Sequence, residues 1–170
     1  MRPPTYEELF DAHAGRLDRL CRLLLADREE SREVVQEVFL KLHQARSQPE
    51  PPSDSAAWLT RVAVNACRDR QRAGWWWRFR RQSDPVEDVV LASDEPTPDE
   101  AAISKETWRR IWAAFRSLSD RQREVFALRH LEGWSTDAVA RTLGLRPGTV
   151  KRHLFRAIQH LRAAAVGGST

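Results

Sequence analysis

The chain has 170 residues, 41% hydrophobic and 31% charged with seven glycines, which fits one ordinary globular domain or two small ones and excludes a fibrous or wholly disordered protein. The formal net charge is only +4 at a pI near 9.7, so its distribution says more than its sum: Arg61 to Arg81 carries seven Arg and one Asp, whereas Ser83 to Glu100 carries seven acidic residues and no Lys or Arg. Two cysteines, Cys21 and Cys67, and five scattered histidines make no metal-ligand spacing, and no nucleophile-base pair or phosphate loop is evident. With no apolar run of membrane-spanning length and no signal-peptide core, the expectation is a cytoplasmic, reduced, non-enzymatic protein that needs no cofactor.

In chain order, Thr5 and Glu8 form a capping box for a first helix to about Ala26, with Leu9, Phe10, His13, Leu17, Leu20 and Leu24 on its buried stripe. Asp27 with Glu30 opens a second helix to about Arg46, apolar at Val34, Val35, Val38, Phe39 and Leu42 and polar at Glu33, Gln36, Glu37 and Lys41. Ser47 to Ser55 has three prolines in nine residues and cannot be helical throughout. A third helix, about Ala56 to Ala73, buries Trp58, Leu59, Val62, Ala63 and Ala66 and ends in Arg68, Arg70 and Arg72.

Trp75, Trp76 and Trp77, interleaved with Phe79 and the arginines around it, follow Gly74. Such a cluster can stack on bases, grip phosphates, dock on a protein or membrane surface, or cap a core. Ser83 to Glu100 reads as an acidic, proline-containing linker. Beyond it, Ile103 to Phe115 places Trp108, Ile111, Trp112 and Phe115 at core spacing, and Ser119 with Gln122 caps a helix through about Leu131. Arg121 and Arg123 stand near that helix's N-terminus, reaching phosphates or facing water.

The last segment is a helix-turn-helix. Ser135 caps a short helix that buries Val139, Ala140 and Leu143, Gly144 supplies a left-handed stop, and Pro147 suits the first turn of the next helix. In that helix Val150, Leu154, Ala157, Ile158 and Leu161 share one side; Lys151, Arg152, Phe155, Arg156, Gln159 and Arg162 share the other, and Gly144 to Arg162 contains no acidic residue. A face of one sign with an aromatic in its middle suits phosphates and base edges in the major groove.

These residues resemble a known family. Leu118-Ser119-Asp120-Arg121-Gln122-Arg123, Gly133-Trp134-Ser135 and Gly148-Thr149-Val150-Lys151 resemble the fourth conserved region of extracytoplasmic-function (ECF) sigma factors, with Ser119 replacing a usual Pro. Glu30 to Phe39 resembles the acidic helix of the family's second region, which binds the polymerase clamp helices; Arg32 stands where an acidic residue is common. Ala57 to Asn65, AWLTRVAVN, resembles the family helix that faces minus-10 DNA.

The resemblance implies an all-α protein of two small helical domains, residues 1–82 and 101–170, joined by the flexible acidic linker 83–100. It further implies docking on bacterial core RNA polymerase through Glu33, Gln36, Glu37, Phe39 and Leu40. Minus-10 DNA is expected at Ser53, Asp54, Arg61, Asn65 and Arg68, and minus-35 DNA at Arg146, Thr149, Lys151, Arg152, Phe155 and Arg156. An unpaired strand needs a loop that captures an extruded base, for which Ser47 to Ser55 is in position, and a basic track, for which Arg61, Arg68, Arg70 and Arg72 are suited. Promoter DNA and core polymerase are the partners, with an anti-sigma factor a further one and no membrane insertion. A stand-alone helix-turn-helix regulator is the alternative, and an interaction protein docking through its tryptophans is a third reading.

Overall fold

A computed structural model describes residues 3–47, 52–73 and 105–167. Helix-start signals in the sequence become helices wherever a capping group meets an apolar stripe. The result, among the described residues, is an all-α chain in two compact units, Met1–Asp84 and Pro85–Thr170.

In the first unit, α1 spans Tyr6–Leu25, α2 Arg28–Arg46 and α3 Ser55–Ala73. The Thr5 hydroxyl accepts from the Glu8 N–H and the Glu8 carboxylate accepts from the Thr5 N–H, closing the expected capping box. Ala26 then takes a left-handed conformation at φ 52°, so α1 reverses into α2 within two residues. Asp27 caps α2 by accepting from the Glu30 N–H at 2.9 Å. The end of α1 is secured from α3, because the buried Gln71 amide donates to the Leu24 carbonyl at 2.8 Å.

The core lies where the three helices meet: Leu17, Leu20, Cys21 and Leu24 of α1, Val34, Val38, Phe39 and Leu42 of α2, Leu59, Ala63, Val64 and Cys67 of α3. Two expectations need correction. Phe10 is 43% exposed rather than core, lying at the edge of the α1–α2 interface against Tyr6 and Phe39. Trp58 and Val62 are only half-buried, because α3 packs on both α1 and α2 and its inward side runs through Thr60, Val64 and Cys67.

In the second unit, α4 spans Lys105–Ser117, α5 Asp120–Phe126, α6 Thr136–Leu143 and α7 Pro147–Val166. α4, α5 and α6 all pack against α7. Of the four α4 residues expected as core, Phe115 is buried while Trp108, Ile111 and Trp112 are half-buried. Ser119 and Gln122 form the expected capping box. The helix they open does reach Leu131, but its last five residues, Ala127–Leu131, widen into a π-helical turn.

Arg123 is the clearest correction in this unit, since it reaches neither phosphate nor water. It is 4% exposed, and its guanidinium donates to the carbonyls of Arg116 and Leu118 at 2.8 and 3.0 Å and pairs with Asp120. A helix ends with unpaired carbonyls, and α4 satisfies its own with a side chain borrowed from α5. The same unit buries Glu124, paired with Arg121 at 3.1 Å. Replacing Arg123 by Met removes these bonds from the end of α4. The expected loss is about 2–4 kcal/mol in the second unit's stability, read from guanidinium unfolding of the full chain; a change within about 0.5 kcal/mol would contradict the capping role.

Candidate nucleic-acid interface

α7 is presented by a turn built from local chemistry. Ser135 caps α6 by accepting from the Ala138 N–H at 3.1 Å, and Gly144 ends it at φ 64°, the left-handed region a side chain would strain. Leu145 and Arg146 complete the turn, and Pro147 stands in the first turn of α7, where its missing N–H has no partner to lose. Val150, Ala157 and Leu161 anchor α7 inward, with Leu154 and Ile158 half-buried beside them.

The opposite face is the one the spacing predicted. Lys151, Arg152, Phe155, Arg156, Gln159 and Arg162 are all exposed, and Phe155 keeps 63% of its surface in solvent. Leaving a Phe ring this exposed forgoes roughly 1 kcal/mol or more of burial energy. Arg146 is exposed and its side chain makes no cap bond, while Thr149 is half-buried one turn into the helix. The helix dipole adds positive potential at this end.

His153 lies at the junction of α7 with α5. Burial lowers its pKa first, and the charges of Arg152, Arg156 and Arg121 lower it further against the opposing pull of Glu124. Arg121, left open by the sequence, is therefore close enough to add its charge to the α7 arginines, and Glu124 holds it there.

On α3, Arg61, Asn65 and Arg68 recur at i, i+4 and i+7 and so share one stripe. Arg61 and Asn65 are exposed, and the Asn65 side-chain carbonyl accepts from Arg68 at 3.3 Å. Ser53 is exposed just ahead of the helix. Asp54 is exposed beside it, and its carboxylate accepts from the Ala57 N–H at 3.0 Å and starts α3. The remaining loop residues 48–51, the tryptophans 75–77 and the linker 83–100 lie outside the described residues.

On α2, Glu33, Gln36 and Leu40 are exposed, Leu40 at 58%, and Glu37 is half-buried. Phe39 cannot be a surface contact: at 2% exposure it packs in the core against Phe10, at 4.8 Å between ring centroids, and Tyr6. Arg70 was expected on the basic track of α3, but it turns to α2 and pairs with Glu33 at 2.8 Å and Glu37 at 3.5 Å. The signal for this was present, since position 70 follows the buried Ala66 and Cys67 by four and three residues. Among the described residues no group of metal-ligating side chains occurs, and no helix is long and apolar enough to cross a membrane.

The sequence matches two family patterns, sigma-70 region 2 over residues 9–77 and sigma-70 region 4 over residues 108–161. It is 36% identical to the ECF RNA polymerase sigma factor SigL of Mycobacterium tuberculosis, covering 91% of this chain and 85% of that protein. It is 30% identical to SigM of the same organism, covering 90% of this chain and 73% of that one. Two solved structures share the fold. One is the sigma factor RpoE of Bartonella quintana in complex with the anti-sigma factor NepR, with a TM-score of 0.70 at 18% identity over 97% of this chain and 98% of that one. The other is CnrH in complex with the cytosolic domain of CnrY, with a TM-score of 0.68 at 24% identity over 96% and 89%.

Because the fold holds the His153 pKa below its ordinary value of 6.5, it favours the neutral imidazole. The stability this contributes is complete above about pH 6.5 and is lost as pH falls through that value toward the depressed one. Unfolding free energy of the full chain is therefore expected to drop less between pH 7.5 and 5.5 (values chosen about the ordinary His pKa) in His153→Gln than in the parent. Equal drops would rule out this imidazole as a source.

Proposed function

We propose a division of labour for this chain, which belongs to the ECF RNA polymerase sigma factors and directs promoter-specific transcription initiation. Residues 1–82 are the polymerase-docking and minus-10 unit, 83–100 an acidic tether and 101–170 the minus-35 unit. The observation that carries this reading is the exposed α7 face, basic, free of acidic side chains and centred on Phe155. Lys151, Arg152 and Arg156 are of the residue types that take guanine edges and phosphates, and Phe155 supplies apolar contact to a base edge. Arg146 and Thr149 flank them at the helix start.

The first unit docks on core RNA polymerase through Glu33, Gln36, Glu37 and Leu40. Phe39 acts from beneath, fixing the helix that presents them. Strand opening then draws on binding energy alone, since unpairing and unstacking cost roughly a few kcal/mol per base. Asn65 offers an amide to a base edge, Arg61 and Arg68 line its stripe with charge for the backbone, and Ser53 borders the loop that Asp54 anchors. No covalent bond changes in any of these steps, so the chain acts by binding and not as an enzyme. It works in the cytoplasm, where polymerase and promoter meet, and an anti-sigma protein is a fitting further partner because one solved structure of this fold is held by one.

Run-off transcription with bacterial core polymerase and a promoter library tests this directly. Transcripts are expected to start downstream of a shared two-part motif and only when the protein is present. Arg152→Ala is expected to cost about 1–3 kcal/mol of discrimination at one base pair of the upstream element. Equal weakening on every promoter would reduce Arg152 to a phosphate contact. Specific duplex binding with no transcripts would leave a stand-alone regulator.

A further inference from the structure

The polymerase-docking face of α2 carries its own counter-charges. Arg70 of α3 donates from Nη1 to Glu33 Oε2 at 2.8 Å and from Nη2 to Glu37 Oε2 at 3.5 Å, while Lys41 donates to Glu37 Oε1 at 2.6 Å. Two carboxylates thus face two cations, and both oxygens of Glu37 are engaged. The Arg70 side chain is 28% exposed against 57% for Glu33, so the cation sits under the edge of the face and the carboxylate outside it.

We propose that Arg70 and Lys41 mask the α2 carboxylates in the free protein, so that docking on polymerase is an exchange in which cations of the polymerase take Glu33 and Glu37 from them. This rests on α2 being the docking face. The Glu37 carboxyl is held below its ordinary range by the Lys41 hydrogen bond, with burial opposing and Arg70 assisting. Burial pulls the Arg70 pKa down, but its bonds to Glu33 and Glu37 outweigh this and raise it. Both carboxylates are therefore occupied before a partner arrives.

The exchange is cheap because partly exposed ion pairs are worth only about 0.2–1 kcal/mol each. It is also selective. A random polycation meets carboxylates that are already paired and gains little from them, whereas a surface that places cations opposite both carboxylates, and seats Gln36 and Leu40 at the same time, recovers what the exchange gives up.

The test is the affinity of the full chain for core polymerase, measured against salt for the parent, Arg70→Gln, Lys41→Gln and Glu33→Gln/Glu37→Gln. Unmasking in Arg70→Gln is expected to tighten binding about two- to five-fold at low salt, as removal of one competing exposed pair allows, and to steepen the salt dependence. Lys41→Gln, on a side chain 49% exposed and so of small consequence for folding, is expected to act in the same direction. Weaker binding by both variants would overturn the masking and make these cations organisers of the carboxylates. If the double Gln variant binds as the parent does, the docking face itself has been misassigned. If it binds more weakly while the cation variants are unchanged, the docking face stands and the masking falls.

Discussion

Each described helix of this protein buries one side in a small core and leaves the other exposed. In the first unit the shared interior is filled by about a dozen apolar side chains from three helices, with Phe39 the largest. In the second, α7 is the element the other three lean on. Three polar groups drawn into these interiors are matched there: Gln71 to the end of α1, Arg123 to the end of α4, Glu124 to Arg121. Because the ends of helices are tied by side chains from neighbouring helices, the outward faces are held in register without using their own residues for that purpose.

That economy matters for a protein that directs transcription initiation at promoters. The basic stripe of α3 and the basic face of α7 each lie opposite an apolar side, so the charges are held on a rigid element and not on a loop. Preorganisation of this kind reduces the ordering cost at the moment of contact. The acidic side of α2 follows a different rule, since its carboxylates are already paired within the fold. Cations are thus left exposed on α3 and α7, whereas the carboxylates of α2 are met by cations of the same unit.

Much of the fold was legible because its boundary signals are local. Thr5 with Glu8, Ser119 with Gln122, Ser135, Gly144 and Pro147 each act within four residues, and each does what its side chain or backbone preference dictates. The α7 face was equally plain, because a single-signed stripe at helical spacing needs no tertiary information. What escaped were decisions made between helices. Phe10 and Phe39 are both aromatic and both on apolar stripes, and only the crossing of α1 and α2 decides that Phe39 goes under while Phe10 stays at the rim. Arg70 and Arg123 read as exposed cations until a neighbouring helix supplies acceptors. The π-helical turn at Ala127–Leu131 had no marker in residue type; it forms where the Glu132 and Trp134 N–H groups reach back to the carbonyls of Ala127 and Leu128.

The central claim is that α3 and α7 meet different promoter elements in one initiation complex. Site-specific photo-crosslinking from a probe at position 65 and another at position 152, in the complex with core polymerase and a promoter, tests it most directly. The account predicts crosslinks from 65 to the unpaired strand of the minus-10 element and from 152 to the minus-35 duplex. Crosslinks from both probes to the same element, or from 65 to duplex DNA alone, would contradict it.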